Sequence, residues 1–283
     1  MSTQRLSDAA RVLGLLFSGG GRRDPARIYD FLSTHNNLAE SSLYLNLGYW
    51  KNAQTYDAAC EALAGLLGEQ AGLKRGDIVL DCGCGFGDQD HYWLQRFAPA
   101  RITGINITQS QVSVAAQRFP DPALTFMTAD ATRLPNPDQS CDKVLALESA
   151  LHFDPRDAFF HEARRVLKPG GTLALADVLV ARQPETHFAR LVAKMGRSLW
   201  QAPECNAYGA DVYRAKLEQA GFTDIKITLI TENVFTPFKA YARQRVLEAE
   251  IQQRVHPLLR KIWGGGHGGF NGMEYAIITA VRG

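Results

Sequence analysis

The sequence predicts an α/β fold, a seven-stranded, mostly parallel sheet sandwiched by helices, and three observations predict it. From residue 78 onward, short aliphatic runs alternate with stretches of helical periodicity. One of those runs, Ile78-Val79-Leu80-Asp81, passes straight into Cys82-Gly83-Cys84-Gly85-Phe86-Gly87, the look of a buried strand turning sharply into a ligand loop. The composition is that of an ordinary globular chain: 283 residues, 46% hydrophobic, 21% charged, net charge +2. That length allows one large core with additions, or at most two domains.

The same bulk properties exclude several functions. The charge is too mild for a nucleic-acid partner, and no run of Lys or Arg forms a basic stripe. The cysteines, Cys60, Cys82, Cys84, Cys141 and Cys205, are odd in number and scattered. They offer neither a disulfide framework nor a metal-ligand pair, so no metal is expected and a reducing cytoplasm fits best. The apolar run Val12–Phe17 is too short to span a bilayer and reads as an amphipathic helix ended by Gly19-Gly20-Gly21, without stable membrane insertion.

Taken in order, helical periodicity dominates residues 25–72, clearest in Tyr56, Ala59, Cys60, Leu63, Leu66 and Leu67. It predicts a helical N-terminal lid over residues 1–70 ahead of a core at 71–283. In the core, strand Ile78–Asp81 precedes helix Gln89–Phe97, strand Arg101–Ile105 precedes helix Gln109–Phe119, and Leu124–Thr128 is a third strand. Asp142–Leu147 is a fourth strand, followed by helix Pro155–Leu167, which Pro169-Gly170-Gly171 stops, and Thr172–Ala176 is a fifth. Repeated βαβ units of this kind make a parallel, Rossmann-like sheet.

The pattern then lapses over 182–209, read as an inserted helical cap. Tyr213–Ala220 is a helix ended by Gly221, and Ile225–Ile230 is a strand. A second helical insertion runs over about 234–268, helical from Val234 to about Ile262, before the closing strand Glu274–Val281. The aromatics Phe188, Trp200, Tyr208, Phe235, Phe238, Tyr241 and Trp263 of these regions are packing residues by default, or line a bulky apolar site if several face one cavity.

The glycine turn narrows the ligand. A phosphate cradle has G-x-G-x-x-G, whereas here the order is G-x-G-x-G with Asp88 next and no Lys or Arg in the turn. It suits a nucleoside without phosphate and with positive charge. S-adenosyl-L-methionine, with its sulfonium and ammonium, matches. Asp81 is placed to hold the ammonium, directly or through water, while Gly83, Gly85 and Gly87 let the backbone approach. Asn106, ending the second strand with Ile107 beside it, can accept from a ribose hydroxyl where an acidic residue normally accepts from both. Asp130 can accept from the adenine amino group, and the Ala131 N–H can donate to a ring nitrogen. Glu148 opens the polar cluster Glu148–Phe153 where the transferred methyl should sit. Cys82 and Cys84 are small side chains for a crowded turn.

These residues resemble the class I S-adenosylmethionine-dependent methyltransferases. The resemblance rests on LDCGCGFGDQD (Leu80–Asp90), GINITQSQ (Gly104–Gln111), TADATRLP (Thr128–Pro135), LESALHF (Leu147–Phe153) and EARRVLKPGG (Glu162–Gly171). It covers about residues 40–235 and the last strand. Within that family, YLNLGYW (Tyr44–Trp50), DQDHYWL (Asp88–Leu94) and ESALHFDPRDAFF (Glu148–Phe160) resemble macrolide sugar O-methyltransferases of the erythromycin type. Rifamycin-type O-methyltransferases and lipid-methylating enzymes are close alternatives. The resemblance implies that Tyr44, Tyr49 and Trp50 lie in a segment closing over the cofactor, and that Gln111 contacts it.

Methyl transfer to oxygen needs alignment and removal of a proton from an alcohol. His152 is the candidate base. The resemblance implies that Asp177, at the end of the fifth strand, orients or assists it. The alternatives are that His152 packs its loop, that Asp177 merely ends a strand, and that a carboxylate acceptor needs no base. His35 and His267 sit in segments that can line the pocket, with packing or solvated roles as the alternative. The expected acceptor is a hydroxyl of a hydrophobic small molecule: a polyketide, a glycosylated natural product or a lipid. Carbon or carboxyl methylation of an isoprenoid or fatty acid, and a non-catalytic cofactor-binding subunit, are the alternatives. Oligomeric state is open, a homodimer included.

Overall fold

The computed structural model describes residues 36–181, 202–265 and 270–283. The Val12–Phe17 run, His35, Phe188, Trp200, His267 and most of the 182–209 cap lie outside the described residues.

Seven strands form one sheet: β1 (Ile78–Cys82), β2 (Arg101–Asn106), β3 (Leu124–Thr128), β4 (Cys141–Leu147), β5 (Leu167–Val180), β6 (Phe222–Leu229) and β7 (Met273–Arg282). Their order is β3-β2-β1-β4-β5-β7-β6. The first five are parallel, and β7 runs antiparallel between β5 and β6. β1 is flanked by β2 on one side and β4 on the other, so the loops leaving β1 and β4 diverge and open a crevice at their carboxyl ends.

Strand side chains alternate between two cores. Val79, Leu145, Leu147, Ala174 and Ala176 face one side with the helices α1 (Tyr56–Ala71), α2 (Asp88–Phe97), α6 (Phe235–Arg245), α7 (Ala249–Arg254) and α8 (Pro257–Gly264). Leu80, Val144, Ala146, Leu173 and Leu175 face the other with α4 (Arg156–Val166) and α5 (Ala210–Gln219). Burial on both faces is why these strands read as near-continuous apolar runs. α3 (Gln109–Arg118) packs beside β2 and β3.

Three expectations change. Helix does not fill 36–55; among the described residues of this region α1 alone is helical, its start capped by Thr55, whose Oγ1 accepts from Ala58 N at 3.2 Å, and its end closed by left-handed Gly72. Upstream, the Asp57 carboxylate takes the backbone N–H groups of Glu40, Ser41 and Ser42, which holds them out of a helical ladder. In the described part of the lid expected over 1–70, α1 shares the core with Ala174 and Tyr275, and residues 36–50 form an irregular strap. β5 extends past Ala176 to Val180 because β7, distant in sequence, pairs with its far end. The helical stretch after Val234 is three helices, α7 ending at Arg254 and α8 starting on Pro257 with His256 as its cap.

Candidate active site

A cavity of about 440 Å³ opens at the carboxyl ends of the parallel strands. Gly83 and Gly85 reach it from the loop after β1, Asn106 and Ile107 from the end of β2, Asp130 and Ala131 from the loop after β3. Glu148, Ser149 and His152 reach it from the loop after β4, Gln89 and Gln111 from α2 and α3, Leu43–Asn46 from the strap. Of the sequence-predicted residues, Tyr44, Gly83, Gly85, Asn106, Ile107, Gln111, Asp130, Ala131, Glu148 and His152 thus share one cavity. Tyr49, Trp50, Asp81, Gly87 and Asp177 do not line it.

The three glycines answer three different demands. A Cβ on Gly83 (φ +98°) would sit 2.2 Å from Ser149 Cβ, so this position lets the β1 and β4 loops touch. A Cβ on Gly87 (φ +84°) would meet Phe126 at 2.9 Å and Ala115 at 3.0 Å, so this one seats α2 against its neighbours. A Cβ on Gly85 would meet nothing within 4 Å, so of the three glycines this one leaves open space beside the cavity it lines. Cys82 and Cys84 are fully buried free thiols, and burial pushes both up, away from the thiolate.

Asp88 does not stand bare in the turn: Arg118 grips it through Nη1 at 2.6 Å and Nη2 at 2.8 Å, and Leu43 N donates to it at 3.2 Å. Its charge is compensated from a helix whose role the sequence does not announce. Yet no Lys or Arg is among the described residues lining the cavity, whereas Asp88, Asp130, Glu148 and Asp154 are. The cavity repels phosphate and favours a cation.

Glu148, in a left-handed conformation (φ +51°), accepts from Tyr275 Oη at 2.6 Å and from Leu47 N at 2.8 Å, tying β4, β7 and the strap together. Burial pushes its carboxyl up to about 7. Asn106 Nδ2 donates to Gln111 Oε1 at 2.7 Å, and Asn106 Oδ1 accepts from Thr108 N at 3.3 Å. Asp130 Oδ1 is engaged by Thr132 N and Oγ1, both at 2.8 Å.

Asp81 is fully buried behind Gln89, whose Nε2 donates to its Oδ2 at 2.9 Å. Gln89 lines the cavity and Asp81 does not, so Gln89 stands between the acid and the cavity. Tyr44 Oη donates to Asp88 O at 3.3 Å at the cavity rim. Tyr49 and Trp50 anchor the strap instead. Tyr49 N donates to Ala59 O at 2.7 Å, Trp50 Nε1 donates to Leu47 O at 2.7 Å, and the Trp50 ring lies 4.8 Å from that of Tyr241.

His152 ends the 3₁₀ turn Ala150–His152, with its N–H on Ser149 O at 3.0 Å. Buried side chains pin that turn on both sides. Asn206 Nδ2 donates to Leu151 O at 3.2 Å and Phe153 O at 2.6 Å, and Arg156 Nε donates to Ala150 O at 3.2 Å. Asp177 belongs to this support. It sits inside β5, not at its end, because β7 continues the pairing. It projects to the face opposite Asp81 and meets Arg156 Nε at 3.3 Å and Tyr213 Oη at 3.0 Å. The Arg156 guanidinium lies over the Tyr208 and Tyr213 rings, 4.9 and 5.0 Å from their centroids. Among the residues that sequence reasoning passed over, Gln89, Ser149 and Pro203 matter most. Gln89, two residues past Gly87, and Ser149, inside the Glu148–Phe153 cluster, carried a positional signal, whereas Pro203 carried none.

The methyltransferase-domain family matches residues 80–175. The chain is 35% identical over 239 residues to the erythromycin 3''-O-methyltransferase of Saccharopolyspora erythraea, covering 81% of this chain and 78% of that one. It is 36% identical over 251 residues to the 27-O-demethylrifamycin SV methyltransferase of Amycolatopsis mediterranei, covering 84% and 89%. The chain belongs to the S-adenosylmethionine-dependent methyltransferases. Among solved structures, the methyltransferase is similar to the [4+2]-cyclase SpnF, with a TM-score of 0.68 and 27% identity over 84% of this chain and 88% of that one. The cavity fits the family's cofactor: bare backbone at Gly85, polar groups at the ends of β2 and β3, and an acidic wall without a cation of its own. No group of His, Cys, Asp and Glu suited to a metal occurs among the described residues.

Proposed function

We propose that the methyltransferase methylates a hydroxyl of a hydrophobic small molecule of the polyketide or glycosylated natural-product class, with His152 as the base. The observation that carries this reading is the placement of His152 on the cavity wall, on a turn braced by Asn206 and Arg156, beside the apolar Phe153 and Pro203. Both relatives named above are O-methyltransferases by name.

Bound S-adenosylmethionine supplies a methyl group on a cationic sulfur, which is a good leaving group. Asn106 and Gln111 would hold the ribose side, Asp130 and Ala131 the adenine side, and the acids around Gln89 the ammonium. The strap residues Leu43–Asn46 cover the cavity and exclude water, and Glu148 latches the strap through Leu47 N. His152 takes the hydroxyl proton as the oxygen attacks. Asp177 supports the turn through Arg156 and does not touch the acceptor.

The five cysteines are all free, which supports a reducing compartment, the cytoplasm. No helix among the described residues is long and apolar enough to cross a membrane.

Turnover of a panel of hydroxylated macrolides and ansamycins, 27-O-demethylrifamycin SV among them, with radiolabelled cofactor identifies an acceptor. His152→Ala is then expected to lower kcat about 10²-fold or more, with cofactor affinity kept. An unchanged kcat removes His152 from the chemistry, and label transferred only to isoprenoids or fatty acids replaces the acceptor class.

A further inference from the structure

Under the glycine turn a second buried acid, Asp90, lies against Asp81. Asp90, in the first turn of α2, is fully buried, as is Asp81 on β1, and their carboxyl groups are in hydrogen-bonding contact. Gln89 Nε2 serves Asp81 Oδ2 at 2.9 Å. Asp81 Oδ1 and both Asp90 oxygens receive no donor from any other residue. Neither acid takes part in an ion pair among the described residues.

Two carboxylates in contact, without solvent or a cation, cannot both ionise, so the pair holds at least one proton. Which acid keeps it follows from the donors. Gln89 stabilises charge on Asp81 with a side-chain donor, whereas Asp90 has only its own backbone N–H and the start of α2. A protonated Asp90 then has one acceptor to serve, Asp81 Oδ1, and that hydrogen bond removes the orphaned oxygen on Asp81 as well.

We propose that Asp90 is a positioning residue held as a neutral carboxylic acid, which donates to Asp81 so that the pair presents a single negative charge, relayed by Gln89 to the cationic end of the cofactor. Gln89 suits the relay. Its Nε2 is committed to Asp81 and, at 3.4 Å, to Gly83 O, so Oε1 is the polar atom it offers to the cavity it lines. The pair lacks an internal counter-charge, and the ligand's ammonium supplies it. Burial acts in the same direction, raising Asp90 well above the usual carboxylate range.

The proposal rests on the cavity being the S-adenosylmethionine site, and two measurements separate the two claims. The infrared spectrum of the ligand-free protein at neutral pH should show the C=O stretch of a protonated carboxylic acid that disappears in Asp90→Asn. Calorimetry with S-adenosylmethionine should show Asp90→Asn, whose amide still donates to Asp81, binding at least about tenfold more tightly than Asp90→Leu, which cannot. An absent carboxylic-acid band overturns the proposal, and so does equal affinity of the two variants. Should Asp90→Leu not fold, Asp90→Ser, which keeps a shorter donor, replaces it and is expected to fall below Asp90→Asn. Wild-type protein that binds no cofactor overturns the site assignment, while the band still decides where the proton sits.

Discussion

Asp81 and Asp177 are both fully buried aspartates on central strands, β1 and β5, that β4 separates, but they face opposite sides of the sheet and keep opposite company. Asp177 has its own guanidinium in Arg156, a phenol in Tyr213 and two aromatic rings closing over the cation. Asp81 has one amide and a second acid. Burial raises both carboxyls, and Arg156 opposes that rise only at Asp177. A buried acid with an internal cation is compensated within the fold, whereas one without a cation favours an incoming positive charge.

The largest expected effect breaks the satisfied side. Arg156→Met strands Asp177 without its cation and should cost about 3–5 kcal/mol in urea unfolding. Arg156→Met combined with Asp177→Leu should recover much of that loss; without recovery, the pair is not what the buried charge depends on. The turn carrying His152 loosens in the single variant, so kcat falls further than cofactor affinity.

A smaller effect probes the unsatisfied side through pH. Burial lifts Glu148 up to about 7 and raises Asp81 as well, both above their unfolded values. The folded state therefore binds more protons than the unfolded one across this window, and stability present at about pH 4 is lost as pH rises through about 7. Tm of the ligand-free protein should fall between about pH 5 and about pH 7.5, and Glu148→Gln should flatten part of that slope. A Tm that rises over the same interval contradicts the uncompensated burial.

The smallest expected effect lies at the sugar. Asn106→Asp restores two acceptor oxygens for ribose hydroxyls and should tighten cofactor binding about threefold to tenfold, if Gln111 turns its amide to donate. Calorimetry at one pH resolves such a change.

What the sequence discloses follows the same division. Strands buried on both faces read as apolar runs, and Leu124–Thr128 is placed to the residue. The glycine turn and the polar ends of β2 to β4 are local features, so Gly85, Asn106, Asp130 and His152 are legible where they stand. Long-range partners are not. Arg118 meets Asp88 from 30 residues away. β7 extends β5 from the far end of the chain and turns Asp177 from a strand terminus into a core residue. The strap is misread as helix because Leu43, Leu45 and Leu47 are apolar, although their spacing of two suits an extended chain. The Asp81–Asp90 contact also needs the fold, since a β-strand and the next helix must pack before the two acids meet.

The most direct test is Asp81→Asn, measured for both S-adenosylmethionine affinity and Tm. If an unpaired buried charge beneath the glycine turn draws the cofactor in, Kd should rise at least about tenfold while Tm stays equal or increases, because the variant sheds an uncompensated carboxylate. A wild-type Kd together with a lowered Tm would make Asp81 a structural acid like Asp177, and the contrast between the two faces of the sheet would fall.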